Sequence, residues 1–334
     1  MKARHFILAG VILLMSVLSA GAWLWLDLQR TLTRPLVLEH ATLFEIPKGV
    51  GLTQVGRALA SRGWLKEPLY LRLEAWRDPA SRRLQAGVYE VPPGITLRGL
   101  LRRFSTGEVK RYTCTLVEGA TFAEFQQLLA GLDGLQHTLR GQPPEAWMKA
   151  LGEPAMPAEG AFFPDTYFYT HDTTDLALAR RARREMQKRL AANWAARAPG
   201  LPYRSPEEAL VMASIVEKET GAASERARIA GVFVRRLQKG MRLQTDPTVI
   251  YGLGAAFDGN LRREDLRRDT PFNTYTRAGL PPTPIAMPGA AALEAALAPA
   301  AGEELYFVAK GDGTHEFSND LGAHQRAVRR HQLR

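Results

Sequence analysis

One carboxylate in the middle of the chain has the surroundings expected of a general acid. Ser205 begins the segment SPEEALVMASIVEKETG, in which a hydroxyl cap, a proline and a glutamate form a helix start. Met212, Ile215 and Glu219 follow at i, i+3 and i+7, so an apolar stripe ends in a carboxyl group. Burial and the negative end of the helix dipole both disfavour ionisation. We therefore expect a raised pKa and a proton-donating role for Glu219.

The alternative is that the helix ends in solvated charges, with Glu217 and Glu219 on either side of Lys218. Glu217 projects roughly towards the opposite face of the helix, so a structural role is expected for it. The elements around Glu219 decide between these interpretations.

Two polar loops downstream of this helix could bind a neutral polar ligand. Gln244 and Thr245 lie in a loop bounded by proline, and Asn273 and Tyr275 lie in a second loop that leads into GLPPTPI. Amides, hydroxyls and an aromatic ring on proline-stiffened backbone make a preorganised hydrogen-bonding surface. Structural turns are the alternative explanation.

The motif AEGAFFPDTY contributes two further acidic residues, Glu159 and Asp165. Its aromatic rings suit a cleft wall in which rings stack on sugars and carboxylates accept hydroxyl hydrogens. A buried loop that uses the same rings as core is the alternative.

A C-terminal hairpin is predicted from strands at 305–310 and 314–318 around the turn Gly-Asp-Gly. It carries His315, and the last predicted helix carries His324. These are the histidines worth testing as metal ligands, but no nearby cysteine or HxxxH spacing accompanies them. No metal is expected.

The N-terminal residues predict a membrane anchor. Residues 6–26 form an apolar run about as long as the ~20 residues that cross a bilayer as a helix. Basic residues precede the run, which predicts a cytoplasmic N-terminus and export of the rest. Residues 20–22, Ala-Gly-Ala, resemble a signal-peptidase site. We favour a retained anchor, because the run continues through Trp23 and Trp25, where an outer interface would lie.

Composition narrows the classes of partner. The 334 residues can hold two domains and a sizeable core. A net charge of +10 implies anionic surroundings, and export makes nucleic acid the least expected of these. The arginine-rich stretch 180–189 is explained by a solvated helix face. With Cys114 as the single cysteine, no internal disulfide can form and no catalytic thiol is expected.

A strand, a Pro/Gly turn and a helix start recur near the N-terminal end, at 46–52 and 91–97. Helices at 52–62 and 68–77 and a strand at 86–91 are predicted between them. A strand, two helices and a returning strand resemble the LysM fold, which in many proteins binds the amino-sugar backbone of peptidoglycan or chitin. A plain spacer domain is the alternative.

Six motifs in sequence resemble the MltG (YceG-like) family of membrane-anchored endolytic murein transglycosylases. They are AEGAFFPDTY, ASIVEKET, RLQKGMRLQTDPTVIYG, FNTY, GLPPTPI and LYFVAKGDGTHEFS, and the likeness runs from about Thr42 to Arg330. By position in IVEKET, the resemblance implies that Glu219 is catalytic. The pair Glu219-Thr220 also resembles the Glu-Ser pair of soluble lytic transglycosylases.

The resemblance implies cleavage of the β-1,4 bond between N-acetylmuramic acid and N-acetylglucosamine inside glycan strands, with a 1,6-anhydromuramyl end as product. Ordinary glycosidases generally use two carboxylates. Here the muramyl C6 hydroxyl attacks its own anomeric carbon, so one glutamate can perform both proton transfers. The predicted substrate-binding residues are Gln244, Thr245, Asn273, Tyr275, Glu159, Asp165 and His315.

The predicted fold class is α+β: an N-terminal transmembrane helix, a small LysM-like βααβ domain and a larger mixed α+β YceG-like catalytic domain. The predicted boundaries are 1–28, 29–108 and 109–334. We expect a single-pass protein of the bacterial inner membrane, with its N-terminus in the cytoplasm and its catalytic domain in the periplasm. Its substrate would be peptidoglycan glycan strands, which it would trim or terminate as they are made, and peptidoglycan synthases are candidate partners.

Two rival functions fit parts of the sequence. One is an anchored scaffold that grips glycan without cutting it. The other is aminodeoxychorismate lyase, an older label of this family, whose pyridoxal phosphate needs a Schiff-base lysine, a phosphate cup and a cytoplasmic site. No glycine-rich phosphate loop opens a helix near Lys218 or Lys310. No cofactor is expected.

Overall fold

The computed structural model describes residues 2–219 and 221–332, which fold as two compact units. The first unit extends to Tyr112 and includes Thr170–Asp172, and the second comprises Thr113–Tyr169 and the chain from Thr173 onward. Each unit has a hydrophobic core of its own. The predicted mixed α+β class is confirmed in the described residues.

The elements of the first unit are α1 (Lys2–Thr33), β1 (Thr42–Ile46), α2 (Leu52–Ser61), α3 (Pro68–Arg77), β2 (Gly87–Val91) and α4 (Leu97–Thr106). The elements of the second unit are β3 (Tyr112–Thr115, which starts at the boundary), α5 (Phe122–Ala130), α6 (Pro144–Leu151), β4 (Thr166–Tyr169), α7 (Asp175–Ala195), α8 (Pro206–Glu219), α9 (Arg226–Gln238), α10 (Asp246–Leu253), α11 (Arg263–Arg267), α12 (Ala290–Leu297), β5 (Tyr306–Ala309), β6 (His315–Ser318) and α13 (Leu321–His331). Short 3-10 turns lie at Pro79–Arg82, Ala223–Glu225 and Gly254–Ala256.

Helix α1 has two parts with different surroundings. Residues Arg4–Thr33 form one helix that is long and apolar enough to cross a bilayer, and the side chains of its apolar run are exposed. Leu28 and Leu32 near its end are instead buried in the first core. The helix therefore continues without a break from the apolar run into the packed unit.

The first unit is built on an antiparallel pair of strands. β1 pairs with β2, with Thr42 opposite Val91 and Ile46 opposite Gly87. Phe44 on β1 stacks against Phe104 on α4 with their ring centroids 5.3 Å apart. The predicted order of strand, two helices and returning strand is confirmed.

The core of the second unit surrounds α8. All residues from Ala209 to Val216 are buried, because α7, α9, α10 and α12 pack around this helix. Helix α12 has the sequence AAALEAAL, and its small side chains allow two helices to approach closely. Burying each of the larger apolar side chains of α8 contributes about 1.5–3 kcal/mol. These contacts give α8 a rigid position in the unit.

Two small sheets complete the second unit. β3 pairs with β4, and β5 pairs with β6 in an antiparallel hairpin that places Ala309 opposite His315. The hairpin predicted from the sequence is confirmed. Helix α13 follows it and is capped by Asp320, whose side chain accepts a hydrogen bond from the backbone N–H of Ala323 at 2.8 Å.

Candidate active site

Glu219 is the last residue of α8, at the end of its buried apolar stripe. Met212 and Ile215, which precede it on the stripe, are fully buried, and the Glu219 carboxyl is partly buried. Thr245 Oγ1 donates a hydrogen bond to Glu219 Oε2 at 2.6 Å. The loop before α10 thus holds the carboxyl that α8 presents.

Burial raises the pKa of Glu219 above its ordinary value, because the charged form loses hydration. The hydrogen bond from Thr245 acts in the opposite direction, since it favours the carboxylate. Asp246 raises the pKa further, whereas His315 and Arg236 lower it. A carboxyl in this state keeps its proton to a higher pH than an exposed glutamate and can donate it to a ligand.

Glu219 faces a cavity of about 410 Å³ in the second unit. The walls come from α9, the loops around residues 243–246 and 275, the β5–β6 hairpin and α13. The volume lies in the usual range of ligand pockets, roughly 300–1,000 Å³. Four of the predicted catalytic and substrate-binding residues meet in its lining: Glu219, Gln244, Tyr275 and His315.

Arg236 brings a buried positive charge to this cavity from α9. Its side chain is 7% exposed and donates hydrogen bonds to the carbonyl oxygens of Leu305 at 2.6 Å and Leu243 at 2.8 Å. Its guanidinium lies 4.9 Å from the centre of the Tyr306 ring. Because these carbonyl acceptors are neutral, they leave the positive charge of Arg236 to act on Glu219.

A second carboxylate, Asp246, lines the same cavity. Tyr275 Oη donates a hydrogen bond to Asp246 Oδ1 at 2.6 Å, which joins the first residue of α10 to the loop at 273–275. Burial, followed by this hydrogen bond, raises the pKa of Tyr275, so its phenol stays protonated.

Gln244 has a left-handed backbone with a φ of 52°, the one positive φ among non-glycine residues in the described chain. Such a conformation costs on the order of 1–3 kcal/mol for a residue with a side chain. The backbone N–H of Gln244 donates to the carbonyl oxygen of Thr274 at 3.2 Å, which helps to hold the conformation. The strained backbone places the side chain of Gln244 in the cavity lining.

Asn273 and Thr245 hold the loops rather than line the cavity. Asn273 is fully buried, and its amide donates to the carbonyl oxygens of Asp265, Leu266 and Arg268. Its Oδ1 accepts a hydrogen bond from the backbone N–H of Tyr275 at 2.8 Å. Asn273 therefore shapes the loop that carries Tyr275, while Thr245, also buried, reaches Glu219 directly.

His315 enters the cavity from β6 and is held by Glu225. Its Nδ1 lies 2.7 Å from Glu225 Oε2, and its backbone N–H donates to Glu225 Oε1 at 3.1 Å. His324 stacks on Tyr306 with centroids 5.1 Å apart, and its Nδ1 is buried without a partner in the described chain. Within residues 2–219 and 221–332, no group of three or more His, Cys, Asp or Glu side chains is arranged to hold a metal ion.

Glu159 lies elsewhere in the second unit. Its Oε1 accepts from the backbone N–H of Phe122 and its Oε2 accepts from Tyr251 Oη, both at 3.0 Å. Burial raises the pKa of Glu159 to about 7. It borders a different cavity, of about 600 Å³, whose described lining includes Pro157, Pro281 and other prolines and excludes Glu219.

Asp165 is exposed and borders neither cavity. Its Oδ1 accepts a hydrogen bond from the backbone N–H of Thr166 at 2.7 Å, and its carbonyl accepts from the N–H of Leu116. These contacts join Asp165 to the β3–β4 region. The structure thus separates the two acids of the AEGAFFPDTY motif from Glu219.

Glu217 has structural contacts, as its position on α8 indicated. Its Oε2 accepts from the backbone N–H of Gly289 at 2.8 Å, and its Oε1 lies 3.5 Å from Arg226. It therefore helps to fasten α8 to the start of α12. Thr220, the second member of the Glu219-Thr220 pair, lies outside the described residues.

Sequence reasoning missed Arg236, Asp246 and Tyr306 as cavity residues. Arg236 follows Val232 and Phe233 at i+4 and i+3, so a charge interrupts the apolar stripe of α9, and this was a usable signal. Asp246 directly follows Gln244 and Thr245, which were both predicted to bind substrate. Tyr306 carried no signal of its own, because a tyrosine in a strand is an ordinary core residue.

The family model for the YceG-like family matches residues 44–330. The chain belongs to the YceG-like family. The family resemblance seen in the six motifs is thereby confirmed. Among relatives of this YceG-like chain, the endolytic murein transglycosylase of Bacillus subtilis (strain 168) is 29% identical over 326 residues, which cover 92% of this chain and 89% of that protein.

The endolytic murein transglycosylase of Streptococcus pneumoniae serotype 2 is 27% identical over 334 residues. That match covers 86% of the YceG-like chain but 57% of the pneumococcal protein, so this chain spans little more than half of the longer relative. A crystal structure of a yceG-like protein from Listeria monocytogenes matches with a TM-score of 0.54 and 27% identity. It covers 86% of this chain and 99% of the Listeria chain.

Proposed function

We propose that this chain is an endolytic murein transglycosylase, a lyase that cuts peptidoglycan glycan strands. The names of the two relatives support this class of activity. The observation that carries the proposal is the partly buried Glu219 carboxyl, with its raised pKa, at a polar and aromatic cavity. This is the arrangement that a general acid for a glycosidic oxygen requires.

In the first step, Glu219 donates its proton to the oxygen that joins N-acetylmuramic acid C1 to N-acetylglucosamine C4. The bond from C1 to that oxygen breaks, and N-acetylglucosamine leaves with a free 4-hydroxyl group. Positive charge develops at C1 and on the ring oxygen of the muramyl unit. Asp246 borders the same cavity and would stabilise that charge as a carboxylate.

In the second step, the C6 hydroxyl of the muramyl unit attacks C1, and its proton passes to the Glu219 carboxylate. The product is a 1,6-anhydromuramyl end, Glu219 is again protonated, and no water is consumed. Thr245, Arg236 and His315 all favour the carboxylate form of Glu219. They would therefore stabilise the intermediate state in which Glu219 has given up its proton.

The sugar would be held by neutral hydrogen-bonding groups and by aromatic faces. Gln244 and Tyr275 offer an amide and a phenol at the cavity, and Tyr306 and Phe307 offer rings. Thr245 and Asn273 act through the positions they give to Glu219 and Tyr275. Glu159 and Asp165 lie outside the lining of this cavity, so they would contact only a glycan strand that extends beyond it.

The protein would be anchored in a membrane and act on glycan strands outside the cytoplasm. We place α1 in the bacterial inner membrane with its N-terminus in the cytoplasm and the second unit in the periplasm, because basic residues precede the apolar run. The first unit would be a LysM-like module that binds glycan. The enzyme would trim or terminate nascent strands, and peptidoglycan synthases would be its partners.

The decisive experiment is digestion of purified, uncross-linked glycan strands by the full-length protein in water enriched in oxygen-18, followed by mass spectrometry. Internal cleavage should yield 1,6-anhydromuramyl ends that carry no heavy oxygen. A hydrolase would instead insert one labelled oxygen atom for every bond cut. Labelled reducing ends would therefore refute the proposed chemistry.

Glu219→Gln is the matched inactive variant, because it keeps the size of the side chain but removes the transferable proton. Glu207→Gln serves as its control, since Glu207 is an exposed glutamate in the first turn of the same helix. We expect Glu207→Gln to retain the wild-type product yield and Glu219→Gln to lose it. Glycan binding without cutting by the wild-type protein would favour the scaffold alternative.

A further inference from the structure

Helix α3 presents an apolar face that the rest of the described chain covers only in part. Its opposite side is buried, through residues such as Tyr70 and Leu71. Leu69 and Trp76, spaced i and i+7, are 49% and 78% exposed, and Leu73 lies between them with partial exposure. We call these three residues, Leu69, Leu73 and Trp76, the α3 face.

Basic side chains border the α3 face. Lys66 precedes the helix and pairs with Asp27, and Arg77 pairs with Glu74. Arg72 is exposed beside the apolar residues, and Glu67 is the one exposed acid of this segment among the described residues. Exposed tryptophan beside a basic side chain is typical of surfaces that contact a membrane interface. The whole chain also has a net charge of +10, which favours an anionic surface.

The start of α3 is bonded to α1 at the end of its apolar run. Tyr70 Oη donates a hydrogen bond to the Asp27 carboxylate, and Lys66 Nζ lies 3.0 Å from Asp27 Oδ2. The Lys66 ammonium also lies 5.8 Å from the centre of the Trp23 ring. Asp27 directly follows the last residue of the run at 6–26, so α3 begins at the level where that run ends.

The next turn of α3 is attached to α1 slightly beyond this level. Glu74 Oε1 lies 3.4 Å from Arg98, whose other nitrogen donates to Gln29 Oε1 at 2.7 Å. Tyr70 and Glu74 are about 6 Å apart along α3, whereas Asp27 and Gln29 are about 3 Å apart along α1, at a rise of about 1.5 Å per residue. These two attachments indicate that α3 crosses α1 instead of running away from the apolar segment.

We infer that the α3 face docks on the headgroup region of the same bilayer that α1 spans. The inference rests on the proposed membrane anchor. The occupant is a lipid surface, because the face combines tryptophan, leucine and basic side chains at the level where the apolar run ends. Interfacial tryptophan and leucine would insert among the headgroups, and Arg72 would contact lipid phosphates. The α3 side of the first unit would then face the membrane.

The test uses the full-length chain in nanodiscs of phosphatidylethanolamine and phosphatidylglycerol. A Cys114→Ala background removes the single natural cysteine, and Trp76→Cys then introduces one site for a nitroxide spin label. Power-saturation measurements compare collisions with oxygen, which concentrates in lipid, and with a water-soluble nickel chelate. We expect the chelate to collide at least about fivefold less often at position 76 than at an exposed aqueous site.

Ala58→Cys supplies the aqueous site, because Ala58 is exposed on α2 in the same unit. Leu13→Cys, in the middle of the apolar run, reports whether α1 is in lipid. Equal chelate access at positions 76 and 58, with position 13 protected, would overturn docking while the anchor stands. Access of the chelate to position 13 would instead show that α1 is not in lipid and would refute the proposed membrane anchor. Protection at position 76 that appears only after glycan strands are added would assign the face to glycan and refute the inference.

Discussion

Glu219 and Glu159 are two carboxyls of the same unit whose pKa values are both raised by burial, yet their surroundings differ. Glu159 accepts hydrogen bonds from two groups, the backbone N–H of Phe122 and the phenol of Tyr251. Its cavity is lined largely by prolines and aliphatic residues, and Arg183 and Arg204 there are paired with Glu153 and Glu208. Glu159 therefore has the contacts of a group that joins parts of the core.

Glu219 shares its cavity with a cation, a second carboxylate, an amide and aromatic rings. Burial and Asp246 raise the pKa of Glu219, whereas Thr245, His315 and Arg236 lower it. Its surroundings can therefore stabilise either protonation state as the reaction proceeds. The difference between Glu219 and Glu159 shows that a raised pKa alone does not identify a general acid. The neighbours that stabilise the ionised form, and a cavity that admits the substrate, distinguish the reactive group.

The largest expected effect separates these two glutamates directly. Glu219→Gln should lower the rate of glycan cleavage by about 100- to 10,000-fold, the usual loss when a general acid is removed. Glu159→Gln should change the rate by less than about threefold, because glutamine can still accept from Phe122 and donate to Tyr251. Initial rates of anhydro-end formation measure both variants. Comparable losses of rate in the two variants would show that the two carboxyls do not differ in their role in the reaction.

The second prediction concerns stability. Glu159 has a pKa of about 7 in the folded chain against 4.5 for an ordinary glutamate, so the folded state binds the extra proton. The stabilisation is complete below pH 4.5 and is lost as the pH rises through about 7. The loss is on the order of 3 kcal/mol, from about 2.5 pKa units at 1.36 kcal/mol each.

Glu159→Gln resembles the neutral acid and should remove this dependence. Relative to wild type, the variant should gain on the order of 3 kcal/mol of unfolding free energy between pH 4 and pH 8. Urea unfolding of the detergent-solubilised full chain, followed by circular dichroism at both pH values, measures the difference. Glu207→Gln provides the exposed control. Parallel pH curves for Glu159→Gln and wild type would contradict a buried, protonated Glu159.

The third prediction tests how Thr245 tunes Glu219. Thr245→Val keeps the shape of the side chain but removes the donor to Glu219 Oε2, and that donor lowers the Glu219 pKa. The pKa should rise further, so the fall of activity at alkaline pH should move to higher pH. The maximal rate should drop about tenfold, because the carboxylate formed after proton donation loses a hydrogen bond.

Thr248→Val is the control for that variant. Thr248 Oγ1 donates to the carbonyl oxygen of Thr245 and lies 2.8 Å from Thr274 Oγ1, without contact to Glu219 among its described hydrogen bonds. The Thr248→Val variant should be less stable to unfolding than wild type, but the pH dependence of its activity should be unchanged. A profile of Thr245→Val that coincides with wild type would show that the hydrogen bond does not act on the titrating group.

The smallest effect is expected at Tyr275. Tyr275→Phe removes the hydrogen bond to Asp246 but keeps the ring, which should raise KM about fivefold through a less ordered loop. The value of kcat should change less, because Glu219 keeps its own contacts. Steady-state kinetics on glycan strands of defined length would separate the two constants. A loss confined to kcat would instead give Tyr275 a part in the proton transfers.

Local patterns predicted much of this structure. The start of α8 directly after Ser205, the hairpin that carries His315 and the strand, two helices and strand of the first unit all follow from caps, turn residues and hydrophobic period. The same patterns placed Glu219 at the end of a buried helix. Short-range rules succeed there because each feature involves residues that are neighbours in the chain.

The lining of the site could not be predicted in the same way. Asn273 was expected to bind substrate, but the structure uses its amide to satisfy three loop carbonyl groups. Arg236 and Tyr306 reach the cavity from elements about seventy residues apart. Whether a polar side chain faces a ligand or a backbone group depends on contacts between distant segments, and no local pattern records those contacts.

The sequence by itself determined that a glutamate would end an apolar helix, that a long apolar run would precede the folded units, and that the chain would belong to this family. Only the tertiary structure decided which acid shares a cavity with Arg236 and His315 and which acid joins two core segments. The hydrophobic period depends only on residues that are close together in the chain. The pKa and reach of a carboxyl instead depend on burial and on charges brought close by folding.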